Sequence, residues 1–451
     1  MPVTVLDDVS VVDVLAGRTV PGRQVVVEGD RIAAVRPAGT PAEPGAQAPD
    51  VRGRTVLPGL IDAHVHVKAW HADLGIVPRR PASYTALKAA GLLAAMLARG
   101  FTTVRDAGGA DAGLAAAVAD GTIPGPRLFF CGHAISQTGG HGDAREAGDD
   151  RHAGGGEGLS RIADGVDAVR LAARDELRRG AHFLKVMVSG GISSPTDRLD
   201  SLQYSREELA AFVEEAGNAG RYVTGHAYTA ASVTRAAQAG FRCVEHANLI
   251  DRATARLMAD KQMFLVGTLA TYEALATRGK DEGLPTDQLA KLQRVRDAGL
   301  RSIELASTAG VRLVYGTDLL GAMHDAQLTE FSLRAQVQPA GEVLRAATVD
   351  AAAPGSAGPG KDRAGSTRGP AAPGRRPAGR HHRADPARPT PDGGRPGRPY
   401  GGRQARPGVP IGLLEGPHRR SSSCPSTCTT SARETRTSRT CSVARGPTSP
   451  R

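Results

Sequence analysis

The stretch Gly59-Leu60-Ile61-Asp62-Ala63-His64-Val65-His66-Val67 ends an apolar run with two imidazoles set two residues apart. On a strand, that spacing places both rings on one face and turns Val65 and Val67 the other way, into packing. A pair of convergent imidazoles is the beginning of a metal site. The same alternation arises by chance in many chains, so its meaning depends on what else in the sequence answers it.

From Thr55 onward, short apolar runs alternate with helix-compatible stretches, the runs falling at 56–67, 101–106, 127–131, 183–189, 222–226, 243–246, 263–269 and 311–318. One of the stretches between them reads as a helix with Asp164 as N-cap, an apolar stripe through Val166, Val169, Ala173 and Leu177, and Gly180 as terminator. Strands alternating with helices imply a parallel sheet. Eight such units predict an α/β fold, a closed (β/α)8 TIM barrel whose chemistry gathers at the C-terminal ends of its strands. An open doubly wound sheet is the alternative. No Gly-x-Gly-x-x-Gly turn follows the first strand, which counts against dinucleotide binding. Before the barrel, residues 3–56 alternate with period two, and Gly29-Asp30 separates two such runs as a hairpin turn. Residues 1–56 are therefore expected to form part of a small, incomplete β-sandwich and residues 57–350 the barrel.

The remaining stretch, 351–451, differs in kind. It holds 19 Lys and Arg against 5 Asp and Glu, 16 of the 30 prolines, and Tyr400 as its one aromatic residue. The chain as a whole has 57 basic and 46 acidic residues, so the basic balance belongs to this stretch and the rest is mildly acidic. A composition without periodicity or apolar content cannot bury a core, and disorder is expected after about residue 353. Salt-dependent phosphate affinity is open to any such charge run, but no aromatic stacking platform or reading motif accompanies it, so no specific nucleic-acid partner is expected. The N-terminus lacks a basic leader followed by an apolar segment, and no run of about 18 apolar residues occurs, so a cytoplasmic protein without membrane contact is expected. Cys131 and Cys243 lie in apolar runs, and Cys424, Cys428 and Cys441 have no matching ligands, so neither a disulfide framework nor a zinc knuckle is indicated.

Polar residues at the strand ends share one expected barrel mouth: His64 and His66 on the first strand, Lys185 on the fourth, His226 on the fifth, His246 on the sixth and Asp318 on the eighth. Lys185 interrupts Phe-Leu-Lys-Val-Met-Val, where an unpaired ammonium costs several kcal/mol. It either snorkels out of the mouth or is neutral and carries CO2 as a carbamate. His226 and His246 are each compatible with a hydrogen-bonded core histidine, and Asp318 with a helix cap. As a set of six on one rim they are much harder to explain that way.

The order His-x-His, Lys, His, His, Asp resembles the binuclear metal-dependent amidohydrolases, (β/α)8 hydrolases with a β-sandwich built from both chain ends. It is closest to their imidazolonepropionase-related branch of prolidase-type metallo-dipeptidases (Xaa-Pro dipeptidase-like). The likeness rests on Gln137-Thr138-Gly139-Gly140-His141-Gly142-Asp143, on Lys185-Val-Met-Val-Ser-Gly-Gly-Ile-Ser-Ser-Pro-Thr-Asp197, on Gly225-His226-Ala227-Tyr228-Thr229 and on Gly316-Thr317-Asp318-Leu319-Leu320, and it spans about residues 3–352. The resemblance implies two divalent metal ions, zinc being the expected metal. One would be held by His64, His66 and Asp318, the other by His226 and His246, with carboxylated Lys185 bridging them. It implies a metal-bridging hydroxide that hydrolyses the C–N amide bond of a dipeptide or N-acyl amino acid, Asp318 moving the proton and His141 or Tyr228 helping to stabilise the oxyanion. For Tyr228 rim packing, and for His141 a plain place in a glycine loop, remain open. The implied partner is a small-molecule or peptide substrate, with homo-oligomers compatible. The alternatives are a cyclic-amide hydrolase or deaminase, or an inactive truncated homologue. A free substrate carboxylate would be favoured if Arg79, Arg80, Arg105 or Arg145 faced the mouth.

After Glu342-Val-Leu-Arg-Ala-Ala-Thr-Val-Asp350 the resemblance stops within a few residues. Such a switch fits an out-of-frame reading of a GC-rich gene: Gly355 to Gly365 can be back-translated so that the frame one base later reads Gly-Leu-Arg-Gly-Pro-Gly-Lys-Thr-Glu-Leu-Gly. On that expectation the N-terminal sheet lacks its C-terminal strands and keeps an unpaired edge.

Overall fold

The structure, a computed structural model, describes residues 2–150, 158–356 and 412–414. Its first sheet has five strands, in the order β15 (Gly412–Leu414), β4 (Thr55–Leu57), β1 (Val3–Asp13), β2 (Arg18–Glu28) and β3 (Arg31–Pro37). β1 (Val3–Asp13) and β2 (Arg18–Glu28) pair antiparallel, and β3 (Arg31–Pro37) follows β2 across the Gly29-Asp30 turn. The face packed inside carries Leu6, Val9, Val25, Val51 and Val56.

The apolar run expected as one strand over 56–67 is two. β4 (Thr55–Leu57) joins the first sheet beside β1, and β5 (Leu60–Val65) enters the barrel. The break falls at Pro58-Gly59, where proline has no amide to donate. A Cβ on Gly59 would stand 2.1 Å from Thr102 Oγ1, so the chain can turn this close to the next strand only as glycine.

The barrel strands are β5, β6 (Phe101–Asp106), β7 (Arg127–Phe130) with β8 (Ala134–Ser136), β10 (Leu184–Met187), β11 (Val223–Thr229), β12 (Cys243–Leu249), β13 (Phe264–Gly267) and β14 (Arg312–Tyr315). All their pairings are parallel. The third strand is broken: β7 pairs with β6, the chain turns at Gly132 (φ +74°), and β8 continues beside β10 while carrying β9 (Ser160–Ile162) on its other edge. The ring closes between first and last strands. His64 O accepts from the amides of Thr317 (3.3 Å) and Asp318 (2.8 Å), and buried Asp62 accepts from Thr317 N, Thr317 Oγ1 and Gln327 Nε2 at 3.1, 2.6 and 2.8 Å. A fully buried carboxylate is tolerable only with that many donors.

The helix expected from Asp164 spans Val166–Arg178 and takes Gly165 as its N-cap. Asp164 instead accepts from Thr138 N and Oγ1, at 2.9 and 2.7 Å. Gly180, at φ +97°, ends the turn as expected. Elsewhere the caps follow local chemistry, as in the Ser205–Glu208 capping box that opens the helix Arg206–Asn218.

Order does not cease at residue 353. A helix spans Val349–Ser356, and β15 (Gly412–Leu414) pairs antiparallel with β4, Leu413 opposite Val56. The sheet is therefore extended beyond β4, and the unpaired edge expected for it lies at β3, where Ile32 and Val35 are exposed. The disorder expected over the rest of 357–451 falls outside the described residues, as do Cys424, Cys428 and Cys441. Among the described residues no helix is long and apolar enough to cross a membrane.

Candidate metal centre and active site

The C-terminal ends of the strands converge on a cavity lined by His64, His66, Lys185, His226, His246 and Asp318 together with His141 and Tyr228. All eight residues singled out in the sequence meet there.

His64 and His66 present Nε2 to each other at 3.3 Å, and Asp318 Oδ1 lies 3.3 and 3.2 Å from the two nitrogens. Their Nδ1 atoms are engaged elsewhere: His64 Nδ1 donates to Glu245 Oε2 at 2.8 Å and His66 Nδ1 to Gly108 O at 2.9 Å. An imidazole with a single N–H on Nδ1 offers a lone pair at Nε2. Two nitrogen lone pairs and a carboxylate oxygen at these distances repel unless a cation sits among them. Without a metal a proton meets that demand: burial acts to lower the pKa of His66, but the Asp318 carboxylate outweighs it and raises it. Burial acts to raise Asp318, and the charge and hydrogen bonds of His64 and His66 hold it well below the carboxylate range. One ligand atom each from His64, His246 and Asp318 lies within 4.8 Å of the others. The donor set fits a divalent ion.

Backbone strain marks the same positions. His246 (φ +73°), Ala247 (φ +52°) and Asp318 (φ +53°) adopt the left-handed conformation without being glycine, at a cost of order 1–3 kcal/mol each. The turn at His246 breaks the two-residue alternation of β12, so that neighbours Glu245 and His246 both reach the interior. Asp318 caps no helix. The following turn, Gly321–Leu328, starts from Leu320.

Around the second half of the cavity, His226 donates Nε2 to Gly190 O at 3.2 Å, stacks on His141 with centroids 4.1 Å apart, and meets His246 edge-on at 4.6 Å. Burial drives the pKa of His226 and His246 well below the ordinary value and that of His141 down to about 4, so all three are neutral at pH 7. Lys185 is buried, 2% exposed. Desolvation lowers its pKa against the opposing pull of Glu245 and Asp318. Tyr228 hydroxyl lies 3.2 Å from Tyr272 hydroxyl, which is 3.0 Å from His246 Nδ1; Thr268 Oγ1 is 2.8 Å from the same nitrogen.

A profile described as the Amidohydrolase family matches residues 55–353, about two thirds of the sequence. The chain belongs to the amidohydrolase family. Ochratoxinase from Aspergillus niger is 37% identical over 320 residues, 67% of this chain and 66% of that enzyme, so the chain spans just under two thirds of its curated relative. A prolidase crystallised with N-methylphosphonate-L-proline aligns over 78% of this chain and 87% of its own, with 46% identity and a TM-score of 0.76. A Xaa-Pro dipeptidase with bound methionine aligns over 78% and 88%, with 27% identity and a TM-score of 0.70.

Sequence reading missed the support beneath this amidohydrolase's cavity. Glu245 Oε1 accepts from Arg105 Nη2 and Thr224 Oγ1 while Oε2 holds His64. Arg105 also donates to Ala63 O and lies over the Phe183 ring, centroid 5.0 Å away. Burial would raise Glu245, but Arg105 and His64 keep it well below the carboxylate range. Of the other arginines proposed for a substrate carboxylate, Arg145 grips Asp143, and Arg79 and Arg80 are exposed. None of the four lines the cavity. The one available signal for Glu245 was its place beside His246 within an apolar strand. Tyr272 sits on a helix, Leu269–Arg278, and carried no signal.

Proposed function

We propose that this amidohydrolase cleaves the C–N amide bond of a dipeptide or N-acyl amino acid with two divalent metal ions, zinc by preference. The observation that carries the reading is the close approach of the His64 and His66 Nε2 atoms to each other and to the Asp318 carboxylate, an arrangement that calls for a cation. His64, His66 and Asp318 would hold one ion, and His226 and His246 the other. Lys185 would bridge them: burial lowers the pKa of its amine, which favours the neutral form that adds CO2 and loses a proton to become a carbamate. Bound there, the ions would supply Lewis-acid activation of water and of the scissile carbonyl.

The chain's own groups divide the remaining work. Asp318 accepts the proton of the attacking water and passes it to the leaving nitrogen, a role for an unprotonated carboxylate. Tyr228 keeps its proton, since burial drives the phenol far above its ordinary pKa, and donates it as a hydrogen bond to the developing oxyanion. His141 donates Nδ1–H to Ser194 Oγ at 2.9 Å, so its Nε2 is an acceptor that suits the N–H of the substrate and cannot donate to the oxyanion, the role that the family resemblance implied for it. Leu74, Leu159, Ile192, Leu275 and Leu320 line the rest of the cavity and would exclude water around an apolar side chain.

Metal-replete protein assayed against dipeptides, N-acyl amino acids, cyclic ureides and lactams tests this reading. Turnover confined to the linear amides supports it; turnover confined to the cyclic ones assigns the cavity to ring opening.

A further inference from the structure

The segment 188–205, between β10 and the helix Arg206–Asn218, forms one wall of the cavity through Ile192 and Ser193. Three of its backbone carbonyls meet at one side chain from outside it. Lys291, on the helix Thr286–Thr308, directs Nζ to the carbonyls of Gly191, Ser194 and Asp197 at 3.1, 2.8 and 2.7 Å, with Asp197 Oδ1 at 3.4 Å. An ammonium has three donors, and here all serve one loop. Removing it would leave three carbonyls and a carboxylate crowded together with no counter-charge.

The same loop cradles His141. A Cβ on Gly191 would stand 2.1 Å from the His141 ring, and one on Gly190 1.9 Å from Arg198 O. Only glycines let the ring and the loop's return strand lie against this backbone. Ser194 Oγ accepts His141 Nδ1–H and donates its own proton to Asp197 Oδ1. Asp197 Oδ2 accepts from Gln203 Nε2 at 3.0 Å, and Gln203 Oε1 accepts from His141 N at 3.1 Å. A continuous chain of contacts thus leads from Lys291 through Asp197 and Ser194 to the imidazole.

We propose that Lys291 is a positioning residue: it clamps the 188–205 loop against the cavity and, through Asp197 and Ser194, fixes the orientation and tautomer of His141. The proposal rests on the reading of this cavity as the active site, but its first consequence is independent of catalysis. Arg198 is exposed on the loop while the next residue, Leu199, is buried, so trypsin should cut after Arg198 only when the clamp is released.

Lys291→Met in the full chain should gain a rapid tryptic cut after Arg198, keep the wild-type metal content, and lose about 10- to 100-fold in kcat/KM on a linear amide. Lys291→Arg should recover part of both. Introduced into His141→Ala, Lys291→Met should cost little further activity, because both act through one imidazole. A residue that merely stabilised the fold would cost the same factor in either background. Ser194→Ala, which cuts the chain inside the loop, should reproduce the activity loss and the non-additivity without the tryptic cut. Wild-type resistance to trypsin in Lys291→Met, or losses that multiply fully with His141→Ala, would overturn the proposal. Failure of every variant and of the wild type to hydrolyse any amide, with the tryptic result intact, would instead remove the functional reading and leave the clamp standing.

Discussion

His64 and His66 can face one another because Glu245 and Gly108 take their protons. Glu245 is itself held ionised by Arg105, so a buried ion pair sets the tautomer of a ligand candidate at the barrel mouth. Replacing Glu245 by Leu should weaken divalent-metal affinity about 10- to 100-fold, measured by chelator competition. Retained affinity would make the contact incidental. Tyr228→Phe should leave metal content unchanged and lower kcat about 10²- to 10³-fold, the scale of a lost oxyanion donor. The ligand candidates were legible because strand ends announce themselves as apolar runs closed by polar residues. Glu245 was not, since strict alternation would turn it away from the face that His246 occupies. The positive φ at His246 that changes this is a tertiary constraint with no glycine to signal it.

At the scale of elements, periodicity located the barrel strands, and close approaches decided where they break. Pro58-Gly59 cut the run over 56–67 into a sheet strand and a barrel strand, and Gly132 cut the third. A glycine in an apolar run tells that something approaches but not what; Thr102 in one case and Glu176 in the other became visible only in the fold. The turn Gly321–Leu328, which follows β14, carries a pH-dependent contribution. His324 is buried with Nε2 3.2 Å from Ala69 O, and desolvation lowers its pKa to about 4. Its folded pKa lies below the unfolded value of about 6.5. The stability that depends on its neutrality is therefore fully present above pH 6.5 and is lost as the pH falls towards 4, by about 2 kcal/mol at pH 5. Denaturant melts of wild type and His324→Gln at pH 5 and pH 7.5 should show that the variant loses this part of the acid sensitivity. Equal slopes with pH in both proteins would assign the sensitivity to other groups.

For the whole molecule, the sequence divided at the point where composition turns basic, yet the chain returns from beyond it to lay β15 on β4. A three-residue strand inside an Arg- and Pro-rich stretch has no pattern long enough to be read from sequence. Deleting 357–451 should leave metal content unchanged, because every ligand candidate precedes the cut, and should lower soluble yield by uncovering the edge of β4. It should also abolish any salt-dependent retention on a polyanion column, since the basic excess lies in that stretch. The measurement that bears most directly on the central claim is elemental analysis of the purified protein after expression in metal-replete medium. About two equivalents of divalent metal per chain are predicted, falling when Lys185 is changed to Ala in a protein that still folds; a folded, metal-replete wild type with no bound metal would contradict the account.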